Sequence, residues 1–410
     1  MRKTQLIIAL AAVGFAGSAV ATNGYFAHGY GTAAKGMGGA GIAYPQDALA
    51  AATNPAGMVH VGNRIDFGLE IFIPDRGFSY AGGSPDGNGS GAMESWFPVP
   101  EFGYNRMLNE TTSVGVSIFG NGGMNTTYGD GDHPFTGFPG GPGAGSTVGI
   151  DLMQMFIAPT LAHKVNSQLS VGASINLVVQ SFKSEGLGAF GQADNGHELS
   201  YGASARLGAL YKLNDSVTFG ATYQTKTNMS KFDDYALLFP NNGEFDLPAS
   251  YGVGVAFKAN DKLDIAFDVT RIEYGEVNPT GNPALFSLYG LNQHGFGWEN
   301  QTVFKLGAAY KYSDDLVLRA GLNYGQQPIT GLNGTTPGDN IGFEFNTLAP
   351  GVVETHLTLG FTKKMSASTE LTGYYMHAFK TDVNGQGGMV GPGKLEMSQD
   401  SIGLAYSWKM

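Results

Sequence analysis

A two-residue alternation, repeated from residue 64 to the end of the chain, most limits what this sequence can fold into. In 64–80 the residues Ile65, Phe67, Leu69, Ile71 and Ile73 fall on one face, and Asp66, Gly68, Glu70 and Phe72 on the other. Leu199, Tyr201, Ala203, Ala205, Leu207, Ala209 and Tyr211 alternate with Ser200, Gly202, Ser204, Arg206 and Gly208. Side chains of a strand point to opposite faces with period two, so each segment has one greasy and one mixed face. The segments are 64–80, 93–108, 111–121, 149–165, 167–183, 196–213, 215–231, 247–259, 261–275, 299–313, 315–328, 352–365, 367–380 and 397–410. Asn109-Glu110, Asn166, Asn214, Asn260, Asp314 and Ser366 mark tight turns, and long connections lie at 81–92, 122–148, 184–195, 232–246, 276–298, 329–351 and 381–396. Short turns on one rim and long loops on the other predict an all-β fold, a transmembrane antiparallel β-barrel of about fourteen strands.

Composition agrees where it bears on this. There are 63 glycines, 19 tyrosines and 26 phenylalanines with 14% charged residues, as expected of strands that need only every second residue apolar. Residues 1–21 read as a secretion signal: Arg2 and Lys3, an apolar run from Leu6 to Phe15, then Ala19-Val20-Ala21. The run is too short to span a bilayer. Without Arg2 and Lys3 the charge goes from 23 basic and 34 acidic residues to 21 and 34, or −13, which argues against nucleic-acid binding. The absence of cysteine excludes disulfides, thiol chemistry and a lipid-anchored lipoprotein.

Between signal and first strand lie residues 22–63, with the run Gly-Met-Gly-Gly-Ala-Gly at 36–41 and Asn54-Pro55-Ala56. Glycine and alanine let backbone pack closely, and Asn-Pro forces a turn. About fourteen strands lie between barrels that side chains can fill and barrels that leave an aqueous channel. We therefore expect 22–63 to be a plug, or hatch, inside a barrel of residues 64–410.

The run GMGGAGIAYPQDALAAATNPAGM resembles the amino-terminal hatch of the FadL/TodX family of outer-membrane transporters of long-chain fatty acids and other hydrophobic compounds. Leu247-Pro248-Ala249-Ser250-Tyr251, Leu318-Arg319-Ala320-Gly321 and His356-Leu357-Thr358-Leu359-Gly360-Phe361, with 374–377 following, are similar to the same family. The resemblance implies a monomeric barrel in the outer membrane of a Gram-negative bacterium. It implies uptake of a fatty acid, alkane or aromatic hydrocarbon, with a hatch that shifts and a sideways exit beside a kinked third strand.

Gly38, Gly39, Gly41, Asn54, Pro55 and Ala56 match the hatch motif. Tyr25 and Phe26 match the part that reaches a ligand pocket in the family. Gly120, Gly122 and Gly123 either kink the third strand or simply end it. Strand parity turns Phe72, Arg206, Lys305, Arg319 and His356 inward. The cations would hold a carboxylate, or pair with lumen acids such as Glu70, Asp268 or Glu354 and anchor the hatch; in the second case a neutral hydrocarbon is the better substrate. Leu237, Leu238 and Phe239, and Leu285, Phe286, Leu288 and Tyr289, are loop residues that would either greet a ligand or pack on neighbouring loops.

Enzyme chemistry, cofactors and metals find no support. The eight histidines lack paired zinc spacing, Gly129-Asp130-Gly131-Asp132 is only a fragment of a calcium loop, and no glycine-rich stretch precedes a helix as a phosphate cradle would. A porin for small polar solutes, and an adhesin or lipid-acting barrel, remain as alternatives.

Overall fold

The computed structural model describes residues 22–80, 83–84, 95–129, 133–137, 146–188, 191–284, 295–330, 332, 341–388 and 390–410. The signal segment 1–21 and Leu285, Phe286, Leu288 and Tyr289 lie outside the described residues.

Among the described residues fifteen strands form one antiparallel sheet. They are β1 (Arg64–Tyr80), β2 (Phe97–Met107), β3 (Thr112–Tyr128), β4 (Val148–Lys164), β5 (Leu169–Glu185), β6 (Glu198–Lys212), β7 (Val217–Gln224), β8 (Asn228–Met229), β9 (Ser250–Lys258), β10 (Leu263–Ile272), β11 (Gln301–Lys311), β12 (Leu316–Gly325), β13 (Thr355–Lys364), β14 (Thr369–Gly387) and β15 (Gly391–Lys409). Pairing of β1 with β15 and of β5 with β6 closes fourteen of them into a barrel, while the two-residue β8 lies on β6.

The short turns share one device. The Oδ1 of Asn109, Asn166, Asn214 and Asn260 each accepts the backbone N–H groups two and three residues on, at 2.8–3.1 Å. An asparagine that caps its own turn stops one strand and starts the next. Phe67, Leu69, Ile175, Leu177, Leu207, Val253, Leu306, Leu359, Ile402 and Leu404 project outward on the barrel wall, where lipid covers them. Tyr211, Phe219, Phe257, Tyr310, Tyr312 and Trp408, near the short turns, make an outward aromatic belt at that rim.

Three spans differ from expectation. The third strand runs on past the glycines to Tyr128, because a one-residue bulge between Gly120 and Gly122 is absorbed against β4. An extra residue flips the inward face, so Ser113, Ser117 and Phe119 point inward before it and Met124, Thr126 and Tyr128 after it. The connection expected at 381–396 is largely strand: β14 and β15 continue as a hairpin beyond what a bilayer needs. The segment 215–231 divides into β7 and β8.

Residues 22–63 run inside the barrel as loops and short helical turns, Thr32–Lys35, Ala50–Ala52 and Pro55–His60. The last was not expected from sequence, and Asn54 caps it by accepting the Ala56 N–H, with Pro55 at its first position.

Candidate site: an aromatic chamber beside an interrupted strand seam

The lumen wall binds the hatch through side chains that strand parity turns inward. Lys35 is buried between Glu70 (2.5 Å) and Glu101 (3.4 Å), and Glu101 also accepts the Thr32 N–H and hydroxyl at 2.8 and 2.6 Å. Asp268 accepts the N–H groups of Gly41 and Ile42 at 2.7 and 2.9 Å, and Asp66 accepts that of Ala48 at 2.8 Å. Asn54 donates to the carbonyls of Ile42 (2.7 Å) and, on β6, Ala209 (3.1 Å). Gly38 and Gly39 both have positive φ, and a Cβ on Gly39 would overlap the His28 carbonyl, so the glycine run is a tight crossing of two hatch strands. Charged lumen groups carrying several hydrogen bonds each make the hatch a bound part of the wall.

Two of the candidate cations are engaged in this work. Arg206 donates to the Thr53 carbonyl (3.2 Å) and to Gln224, and Arg319 to Gln46 (2.9 Å) and Thr362 (2.7 Å). Lys305 is the cross-strand neighbour of Asp268, the residue that grips Gly41 and Ile42. His356 is buried with its ring stacked on His28, centroids 6.2 Å apart. The predicted pocket residues therefore divide. Arg206 and Lys305 line a cavity of about 40 Å³ under Phe26, and Arg319 lies in a polar vestibule of about 280 Å³ facing the short-turn rim.

Tyr25 and Phe26, at the start of the hatch, belong with Phe72 to one aromatic layer. Tyr25 is fully buried, with ring centroids 5.1 Å from Tyr274, 5.2 Å from Phe26, 6.0 Å from Trp298 and 6.3 Å from Phe245. Edge-to-face pairs dominate, the geometry that aromatic quadrupoles favour. The Tyr274 hydroxyl pins the segment by donating to the Asn23 carbonyl (2.5 Å) and accepting the Phe26 N–H (3.1 Å). Beside this layer a crevice of about 20 Å³, room for roughly one water molecule, is lined by Gly24, Phe72, Arg76, Met124, Trp298 and Pro350 among others.

The amino-terminal segment lies on an interruption in the wall. β1 pairs with β2 up to Phe72↔Phe97, and β3 with β4 up to Tyr128↔Val148, yet the β2–β3 ladder stops at Phe102↔Ile118. Beyond that point β3 pairs with the hatch. Phe26 bridges Gly122, Gly123 donates to the Tyr25 carbonyl (3.0 Å), and Ala27 donates to the Asn121 carbonyl (2.9 Å). Asn121, the bulged residue, is buried between the Tyr30 hydroxyl (2.8 Å) and Gln154 (3.0 Å). Arg76 reaches across from β1 to the carbonyl of Asn125 (2.6 Å) and to its side chain (2.5 Å). Gly120, Gly122 and Gly123 thus sit where residues 25–27 stand in for a neighbouring strand.

In the outer loops Leu238 and Phe239 are buried against Phe182, Phe232 and Phe245, in line with the packing alternative; Leu237 alone of the three is exposed. Burial pushes His133, in the β3–β4 connection, down to about 3, so it stays neutral while bonded to the Thr347 hydroxyl at 2.8 Å. Sequence reasoning missed Lys35, Glu101 and Arg76. Parity from Phe72 onward places Arg76 inside and was the available signal.

The family model for outer membrane protein transport proteins (OMPP1/FadL/TodX) matches residues 8–337. No curated protein matches the chain. Among solved structures the chain is similar to the Pseudomonas putida toluene transporter TodX, at 21% identity and TM-score 0.71, covering 93% of this chain and 99% of that one. It is similar to a Pseudomonas aeruginosa FadL homologue, at 17% identity and TM-score 0.67, covering 94% and 99%. The Ralstonia pickettii toluene transporter TbuX matches at 19% identity and TM-score 0.64, covering 93% and 99%. The chain belongs to the OMPP1/FadL/TodX family of outer-membrane transporters of hydrophobic compounds, a channel in the outer membrane of a Gram-negative bacterium and not an enzyme.

Proposed function

We propose that the channel takes up small neutral hydrophobic molecules, aromatic hydrocarbons foremost, and releases them sideways through the β2–β3 seam. The observation that carries this reading is the division of labour in the lumen. Arg206 and Arg319 serve the hatch or its anchors and Lys305 stands across from Asp268, which leaves an aromatic layer around Tyr25 and Trp298 as the surface that meets a ligand. Apolar aromatic walls recognise a ring by area and edge-to-face contact and have no need of charge. TodX and TbuX, both named for toluene, support the substrate class.

Sideways exit rests on what lies along each route. Below the hatch the lumen opens into chambers of about 550 and 280 Å³ whose walls carry Lys164, Lys212, Lys258, Arg64 and Glu370 among others. A hydrocarbon there would lie beside charged groups. The seam beside Gly122 leads toward lipid, where apolar surface is favoured by ~25 cal/mol per Å². Residues 1–21 would be the secretion signal, 22–63 the gate and 64–410 the wall, with Leu237 a surface contact for arriving ligand. Uptake of radiolabelled toluene, hexadecane and oleate by cells with and without the protein tests the substrate class. Toluene should enter at least tenfold faster with it. Acceleration of oleate alone would return the reading to a fatty acid carrier, and acceleration of small sugars alone to a porin.

A further inference from the structure

We infer that Pro98 and Pro100, on β2, are the residues that keep the seam from zipping shut; this rests on the sideways route proposed above. The β1–β2 ladder is continuous through Ile71↔Pro98 and Leu69↔Pro100. An antiparallel ladder takes its N–H groups from alternate residues. Proline has none to give, so Phe97, Val99 and Glu101 must bond to β1 while Pro98 and Pro100 turn their nitrogens toward β3. The Tyr104 carbonyl, of the same parity as the prolines, confirms the direction: it lies 2.5 Å from where a Cβ on Gly115 of β3 would be.

The register locates the consequence. Bonded pairs Arg106↔Val114, Tyr104↔Val116 and Phe102↔Ile118 follow one another, and the next would be Pro100 with Gly120; past Gly120 the bulge shifts the parity, so that the Asn121 carbonyl and the Gly123 N–H face the seam where Pro98 has no N–H to offer. The ladder ends at the first position that needs a donor proline lacks. The strands have not drawn far apart there, since a Cβ on Gly120 would come within 3.0 Å of a Val99 methyl. Past the bulge, Gly122 is instead bridged by Phe26 of the hatch. The bulge on β3 and the two prolines on β2 thus act from opposite sides of one seam. The bulge alone would leave β2 free to add donors to the exposed β3 edge, as strand edges readily do. The prolines remove that competitor, so the place beside Gly122 belongs to a segment that can leave. They are positioning residues and touch no ligand.

The test replaces Pro98→Val and Pro100→Val together, with Pro100→Val alone as a milder variant. Both side chains face outward, where valine suits a strand. Folding is checked by the heat-modifiable electrophoretic mobility of the intact barrel. The first readout is hydrogen–deuterium exchange of the 116–124 segment in detergent. The inference predicts that the Gly120 amide exchanges at least tenfold more slowly in the double variant, with partial slowing in Pro100→Val. Unchanged exchange in both folded variants overturns it. The second readout is toluene uptake, expected to fall at least fivefold. Slowed exchange with normal uptake upholds the role of the prolines and sinks the sideways route, so the two readings fail separately.

Discussion

Gly122→Ala is the perturbation whose effect follows most directly from the geometry. A Cβ at Gly122 would overlap the Tyr25 carbonyl oxygen and lie 3.0 Å from the Phe26 Cα. Either β3 or the amino-terminal segment must give way. β3 is held by a ladder to β4 along its whole length, whereas residues 25–27 are held to it by two backbone bonds, Gly123 to Tyr25 and Ala27 to Asn121. The segment therefore moves. Each bond contributes ~0.5–1.5 kcal/mol net, so losing both destabilises the docked state by about 1–3 kcal/mol. At about 1.4 kcal/mol per tenfold, the undocked population rises ~5–140-fold. The chain has no cysteine, so Ala27→Cys gives a background-free probe. Its maleimide-labelling rate in detergent-solubilised barrel should rise by that factor when Gly122→Ala is added. Equal labelling rates in intact barrels would refute the assignment of residues 25–27 as the movable member.

Removing the Lys35 charge with Lys35→Met leaves Glu70 and Glu101 buried without their partner, a loss of ~3–5 kcal/mol that should loosen the hatch; sensitivity of cells to bulky antibiotics should rise, and adding Glu70→Gln and Glu101→Gln should reverse part of the rise. Asn54→Ala removes the bonds to Ile42 and Ala209 and the cap on Ala56, which should cost about 1–3 kcal/mol and speed hydrogen exchange across 50–60 with barrel strands unaffected. Arg206→Met and Arg319→Met should alter entry of toluene and oleate by the same factor; selective loss of oleate would mean that a cation binds ligand. His133 has its folded value lowered to about 3 against 6.5 in an unfolded chain, so the unfolded state binds more protons as pH falls below about 6.5. Packing of the β3–β4 connection is therefore fully stable above that pH and loses stability as pH falls toward 3. Proteolysis there should accelerate at pH 5, and His133→Gln should remove that acceleration.

The wall was legible because lipid and lumen impose opposite demands on successive residues, which writes a period of two into β1, β5, β6 and β15. Turns were legible for a local reason, the asparagine that bonds its own backbone two and three residues on. The course of β3 was not. Its bulge at Asn121 shifts the inward face from Phe119 to Met124, and in sequence a break in alternation beside clustered glycines looks the same as a strand end. The β14–β15 hairpin escaped because it rises beyond the lipid, where nothing enforces an apolar outer face. In the site, parity placed Arg206, Lys305, Arg319 and His356 inside. Their neighbours Thr53, Gln46 and His28 belong to contacts that no local pattern encodes. Leu238 and Phe239 stayed open for a related reason: an apolar loop reads as capture surface or as packing until the loop it packs on is known.

The central claim is that hydrophobic molecules pass only when residues 25–27 leave the β2–β3 seam. The most direct test locks them there, with Ala27→Cys and Asn121→Cys placed at facing positions beside the Phe26–Gly122 bridge. Toluene uptake is compared in one preparation before and after reduction, so the substitutions themselves cancel. The account predicts uptake at least tenfold slower in the oxidised channel, recovered on adding reductant. Equal uptake with the disulfide closed and open would contradict it.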